Sequence, residues 1–476
     1  MTTQRIKFGS WQPDSADFTG GNTELLHQAY NVYSSAVGYA PFPTPIKVSV
    51  EAPEDINSVF VGKYGADIEI FAGAENAIYS VTGIARSAVT DVSNPSGYQS
   101  LAPWDFAQFG AVVLACNGQK LQQRQIGVGG TFQDVTQAPN ASCIAIVRDF
   151  VFANDVDDTN LVKWSDINNH ENWTPGPTSQ ADSQYLADGG AIINIMGGEQ
   201  AIILQEKAIT RASYIGSPFF WQFDLVARTG CFERNSAVQN NGYVYFLSEA
   251  GFMMTDGASV IPIGAGQIDK YFWNDVALAQ IDTMSTAINP LLNLVIWNYT
   301  NTNGKRALMM YNYVTKQWTY GETTANVVGN LMNQGTTLDD LDATYPVLDE
   351  MGVSLDSRIF IGGKSLFAGA EGKYIVSFEG QQDNSYLTTQ DLEFGYNSTV
   401  LLARGIIDNG VSNEYQIASR QKLGDNILYS AKSTESDEGR ADLRSGGRFH
   451  RLRCFPKGSW THAVGVDVDF AEHGTR

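Results

Sequence analysis

Tyr243-Val-Tyr-Phe-Leu-Ser-Glu-Ala-Gly251-Phe-Met-Met-Thr-Asp-Gly257 is the stretch whose reading decides the fold. Two apolar runs, each too short for a helix, flank a Gly-centred turn that folds the second run back on the first. Asn241-Gly242 precedes the pair and Asp256-Gly257 follows it, and both dipeptides suit tight hairpin turns. The unit is therefore a strand, a turn and a second strand, with aromatic residues along it.

The unit recurs outward in both directions. Arg358-Ile-Phe-Ile-Gly-Gly-Lys-Ser-Leu-Phe-Ala-Gly-Ala-Glu-Gly372 repeats it, and Leu308-Met-Met-Tyr-Asn-Tyr-Val-Thr-Lys-Gln-Trp318 ends another copy on a Trp. Short apolar strands such as Asp67–Phe71, Phe150–Asn154, Ala201–Gln205 and Leu291–Tyr299 fill the span between residues 50 and 380. Four strands in every ~40–45 residues is the spacing of propeller blades. Residues 50–380 are thus predicted to form a β-propeller of about six or seven blades, with a stacked β-sandwich array as its rival. Ile268, Phe272 and Val276 stand at i, i+4 and i+8, which predicts one short helix between blades. Residues 1–49 read as an extended N-terminal arm of turn signals around one helical candidate, Thr23–Tyr30. Residues 381–476 carry longer strands, among them Val400–Ile406, Glu414–Arg420, Asn426–Ala431, Phe449–Phe455 and His462–Phe470, and are predicted to form a smaller C-terminal β-domain. The fold class is all-β.

Composition narrows the function. The 46 Gly, 24 Phe, 21 Tyr and 9 Trp favour strands and tight turns over helices. The formal charge of −20 is uneven: residues 401–476 hold 11 Lys+Arg against 10 Asp+Glu, so the preceding residues carry nearly all the excess. Such an acidic body repels duplex phosphate and anionic membranes, and it also serves solubility. Cys116, Cys143, Cys231 and Cys454 lie far apart without a C-x-x-C, which reads as buried thiols in a reducing compartment. Met1–Phe8 has no signal-peptide core and the longest apolar runs, such as Ala111–Cys116, are too short to span a bilayer, so no membrane insertion is expected.

Motifs for chemistry are missing, and no enzyme activity or cofactor is expected. His170-Glu171 does not continue to H-E-x-x-H, and Gly363-Lys364-Ser365 has Arg358 where a P-loop needs its first Gly. Asp155-Val-Asp157-Asp158-Thr-Asn160 lacks the Gly and closing Glu of a calcium loop and reads as a hairpin turn. Trp164-Ser-Asp-Ile-Asn-Asn-His-Glu-Asn-Trp173 offers two indoles, read as inter-blade core in preference to a stacking platform. The sharper candidate is the basic run around Arg448, Arg451, Arg453 and Lys457. Strand alternation puts Arg451 and Arg453 on one face and His450, Leu452 and Cys454 on the other. That face is either merely solvated or a contact with DNA or with an adjacent subunit.

Three stretches carry a resemblance. Trp11-Gln-Pro-Asp14 with Tyr30-Asn31 and Gly38-Tyr39-Ala-Pro41, then Arg148-Asp149-Phe150 with Ile268-Asp-Lys270, then Gly447-Arg448 with Arg451-Leu-Arg453 resemble, in order, tail-hub or nozzle proteins of short-tailed bacteriophages, also called packaged-DNA stabilisation proteins. The resemblance implies a structural virion protein in the phage tail, assembled in the host cytoplasm. It implies a homo-oligomeric ring, a hexamer, that meets the portal and adaptor and other tail proteins. That ring would extend the DNA channel, pass DNA at ejection and help retain the packaged genome. No segment is identified as a gate. The alternative from another class is a glycan-binding or glycan-cleaving propeller tail protein.

Overall fold

The computed structural model describes residues 2–18, 24–82, 88–99, 102–332 and 365–473. Tyr243–Ser248 and Gly251–Thr255 pair antiparallel with Ser248 opposite Gly251, as the opening stretch requires. Asn241 and Gly242 both adopt positive φ (49° and 84°), the conformation a two-residue primed turn demands. Gly251 has φ +123°, and a Cβ there would fall 2.2 Å from the Asp269 carboxyl carbon. Only glycine fits that approach.

Six four-stranded sheets stand alone, spanning Ile56–Asp91, Asp105–Asp134, Ile144–Tyr185, Ile192–Ala227, Val238–Pro262 and a last one built from Val327–Met332, Ser365–Glu371, Tyr374–Gly380 and Thr44–Lys47. A further four-stranded antiparallel unit, Ser285–Thr323, lies between the fifth and the last and begins a fourteen-stranded sheet. The first strand of each unit adjoins that of the next, and Val327–Met332 returns to Ile56–Tyr64, which closes the circle. This is a β-propeller whose blades stand alone except for the Ser285–Thr323 unit, which continues into the C-terminal sheet. Thr44–Lys47 supplies the outer strand of the last blade, so the ends of the chain's propeller are clasped together.

Burial follows position within a blade. Phe150–Asn154 and Leu294–Thr300 are buried at every position, because neighbouring blades cover both of their faces. That is why these strands read as continuous apolar runs instead of alternating ones. Outer strands such as Asp182–Tyr185 are exposed throughout.

The fourteen-stranded sheet continues from Gln317–Thr323 through Leu26–Tyr30, Tyr386–Thr389, Ala441–Phe455, Leu392–Asp408 and His462–Glu472. Thr2–Lys7 adds antiparallel to His462–Glu472. The strands of residues 2–47 are therefore distributed between the C-terminal sheet, the junction and the propeller. The helix expected at Thr23–Tyr30 is corrected: Leu26–Tyr30 is a strand, antiparallel to Tyr386–Thr389 and parallel to the propeller at Tyr30–Tyr320, while residue 23 is outside the described set. Its Leu26 and Ala29 are buried by partners distant in sequence. The strand expected at Asn426–Ala431 is corrected too. That segment lies beside Glu414–Arg420 without a ladder of its own, and Leu428 is 80% exposed. The expected strand Arg358–Gly362 lies outside the described residues.

The expected helix forms at Asp269–Asp275. Asp14 caps it, accepting the backbone N–H groups of Lys270 (2.8 Å) and Tyr271 (2.9 Å). Asp269 in turn accepts the Phe252 N–H at 3.1 Å, which docks the helix on the Gly251 turn. Burial pushes the Asp269 carboxyl up to about 6.

Candidate functional site

The basic strand Ala441–Phe455 is interior to its sheet, flanked by Tyr386–Thr389 and Leu392–Asp408 on one side and by Glu414–Arg420 on the other. Both its faces are covered around residues 449–452, so alternation does not separate a wet face from a dry one there. Arg451 is 1% exposed. Its guanidinium binds Asp391 (3.3 and 3.2 Å) and Asp17 (3.3 Å). Arg420 completes the group, bonded to Asp391 and to the carbonyls of Leu423 and Asp425. Two guanidiniums thus face two carboxylates, which satisfies charges that would otherwise be costly to bury. His27 lies 3.8 Å from Asp17, and burial, aided by Arg451, holds its imidazole down to about 4.

The other candidates are also engaged within the chain. Arg453 donates to Thr388 (3.1 Å) and Gln28 (2.9 Å), and its guanidinium lies over the rings of Tyr386 and Tyr429. Arg448 donates to Glu393 at 2.7 Å and keeps 39% of its side chain exposed. Lys457 reaches the Asp383 carbonyl at 3.3 Å and lies 3.9 Å from Glu414. Arg451 is therefore removed from any contact surface: it is a core ion-pair residue. Arg448 and Lys457 retain surface for a partner.

A second locus is the propeller axis. A cavity of about 340 Å³ is lined by first-strand residues of six units, including Val59, Asp105, Ile144, Ile195, Ser285 and Val328, and by Arg234 and Ala237 just before the Val238–Pro262 blade. Arg234 crosses its end, donating to the Ser142 carbonyl and, at 2.8 Å, to the Pro103 carbonyl, while Asn194 donates to the Arg234 carbonyl at 2.9 Å. Asp105 accepts the Ile144 N–H at 2.9 Å, and burial raises its pKa against the pull of Arg234. Arg234 thus ties the cavity to the segments entering two neighbouring blades.

All four cysteines are free and buried. Burial pushes the Cys143 and Cys231 thiols each up to about 12, far from a nucleophile's range. His450 sits between Ser398 (2.8 Å) and Ser419 (2.7 Å), but it is 1% exposed and Ser398 has no accessible surface. Trp164 packs between Phe152 and Phe223, and Trp173 joins the core shared by the Asp105–Asp134 and Ile144–Tyr185 blades. Both indoles fill core, as the sequence reading preferred. The Asp155–Asn160 stretch is a turn: Asp155 accepts the Asp157 N–H and Lys163 pairs with Asp155 at 2.6 Å. Among the described residues no group of three or more His, Cys, Asp or Glu is placed to hold a metal ion, and no helix is long and apolar enough to cross a membrane.

Sequence reasoning missed a cavity of about 330 Å³ where the N-terminal segment, the helix and the junction strands meet. Its walls come from six separate segments, so no local motif announces it, although Trp11 and Tyr30 belong to stretches that carry the resemblance.

No family model matches the chain, and no curated relative matches it. Among solved structures it is similar to the extracellular domain of a hybrid two-component system from B. thetaiotaomicron, at 11% identity and TM-score 0.41, covering 85% of this chain and 47% of that one. The chain thus spans about half the length of that relative. It is also similar to BamB from Moraxella catarrhalis, at 12% identity and TM-score 0.32, covering 58% of this chain and 74% of that one. The propeller itself is established by the chain's own sheet order.

Proposed function

We propose that this chain is a structural, non-catalytic virion protein: a subunit of a six-membered ring in the hub or nozzle of a short phage tail. In that role it meets the portal and adaptor, extends the DNA channel and helps retain the packaged genome. One observation carries the reading. Two stretches that resemble tail-hub proteins, far apart in sequence, meet directly where Asp14 caps the helix at Lys270, and a third, Arg451-Leu-Arg453, reaches the same N-terminal segment through Asp17 and Gln28, while Arg148-Asp149-Phe150 lies apart in a propeller blade. Part of the resemblance thus falls on the tie between propeller and C-terminal sheet, which favours a structural part over a catalytic cleft.

The axis of a single propeller is a poor candidate for the conduit. Arg234 spans an axial cavity of about 340 Å³, and a duplex whose major groove alone is ~12 Å wide has no passage there. DNA would pass between copies, at the centre of the ring. The Asp+Glu excess of the first 400 residues would keep that wall from gripping phosphates and slowing ejection. Arg448 and Lys457, which keep surface, are the candidates for a subunit or DNA contact.

Native mass spectrometry of the full chain, alone and with the portal–adaptor complex of its own particle, tests the proposal. Closed assemblies several-fold larger than the 52.0 kDa subunit are expected. One copy per complex, or turnover of capsular or cell-wall glycan by the purified chain, would overturn it.

A further inference from the structure

The junction cavity is walled by aromatic rings and carboxylates. Trp11 meets Tyr271 edge-on at 5.2 Å, Tyr271 meets Tyr320 edge-on at 5.7 Å, and Tyr30 stacks on Tyr386 at 4.7 Å and approaches Tyr320 at 6.0 Å. Asp275 and Glu322 complete the lining. We propose that this cavity binds an organic cation, an alkylammonium or guanidinium head, held by the ring quadrupoles and the two carboxylates.

Charge placement favours that class. Glu322 pairs with Lys305 at 2.9 Å, and Lys305 is largely exposed, so the pair is readily hydrated. Asp275 has no ion-pair partner among the described residues; it accepts the Tyr299 hydroxyl at 2.7 Å. It is also the last residue of the helix, whose last turn holds no basic residue. Arg453 approaches from outside, over the Tyr386 ring, and His27 on the rim is held neutral above about pH 4 by burial. The cavity is therefore lined by carboxylates and aromatic rings, with no cation lodged among them. Burial raises the Asp275 pKa, a penalty that a bound cation would relieve.

Other ligand classes fit less well. A divalent metal wants six or more oxygen ligands and gains nothing from ring faces. A sugar wants an open platform and donors as well as acceptors. Trp11 is 2% exposed, its indole N–H is spent on the His27 carbonyl, and the Asn301 amide is spent on the Tyr320 hydroxyl.

The test is calorimetric titration of the full chain with choline, n-butylammonium and n-butylguanidinium, against the neutral isostere 3,3-dimethylbutan-1-ol. At least one charged probe should bind about tenfold or more tighter than the alcohol. Asp275→Asn and Glu322→Gln should each weaken it about tenfold, and Lys305→Gln, an exposed change that frees Glu322, should tighten it. If Asp275→Asn does not fold, the other two variants keep the test intact. A capped Gly-Lys-Gly peptide separates the sources: stronger binding of the peptide than of n-butylammonium marks a protein side chain as the ligand, and the reverse marks a small free amine. Equal affinity for the neutral alcohol, or no saturable heat with any cation up to about 20 mM, would overturn the proposal, as would a sugar that binds where no cation does. This outcome is independent of whether the chain forms rings.

Discussion

Replacing Arg451 by Ala separates a core ion-pair residue from a surface contact. The change removes a guanidinium that is 1% exposed and leaves Asp391, also buried, facing Arg420 alone. Removing one partner of a buried pair costs about 3–5 kcal/mol, and the surviving Arg420 places this variant near the lower figure, about 3 kcal/mol. Asp391→Ala leaves both Arg420 and Arg451 to the half-exposed Asp17 and should approach about 5 kcal/mol. Arg448→Ala breaks a pair whose Arg side chain is 39% exposed and should cost less than about 1 kcal/mol. Urea denaturation reads the order as a fall in midpoint at unchanged slope. Replacing Arg451, Arg420 and Asp391 together by apolar residues of similar volume should recover much of the loss, since Asp17 can hydrate. If Arg451→Ala proves no more costly than Arg448→Ala, the buried-network account is wrong and the strand presents a solvated face.

Asp14→Ala should cost about 1 kcal/mol by uncapping the helix at Lys270 and Tyr271, and an unchanged thermal midpoint would refute the cap. Gly251→Ala should cost about 2 kcal/mol or more, because a Cβ collides with Asp269 at φ +123°; wild-type stability there would contradict the docking of helix on hairpin. His450 titrates in the unfolded chain near its ordinary 6.5 but is held down to about 4 when folded. The unfolded state therefore binds the extra proton as pH falls from about 6.5 to about 4, and stability drops by up to about 3 kcal/mol across that window. His450→Gln should flatten that slope, and equal slopes would remove His450 from the account. The four buried thiols should resist a thiol reagent until the chain unfolds, and a non-reducing gel shift that reductant abolishes would contradict their free state.

What could be read from sequence was local. Asn241-Gly242, the paired runs at Tyr243–Gly257 and the i, i+4, i+8 helix each fix their geometry within a few residues, and each appears where expected. The strand Leu26–Tyr30 could not be read that way. Leu26, Ala29 and Tyr30 have helical spacing, and what makes them a strand is pairing with Thr389, Leu387 and Tyr386 across the length of the chain. Arg451 was misread for a related reason. Alternation assigns a residue to a face, but whether that face is wet depends on what lies over it, and here Asp391 and Asp17 do. Leu428 shows the reverse error: an apolar segment with strand-like texture lies at the sheet margin with its leucine in solvent. The aromatic cavity, drawn from six segments, leaves no trace in any one of them.

The central claim is a ring around a DNA path, with the path between subunits and outside each propeller axis. Electron microscopy of purified particles, with an antibody-fragment label on this chain, tests it most directly. The account predicts several labels in closed rotational symmetry about the tail axis, with the DNA density at the ring centre. Labels absent from the particle, isolated single copies at the tail periphery, or DNA density running through a propeller axis would contradict it.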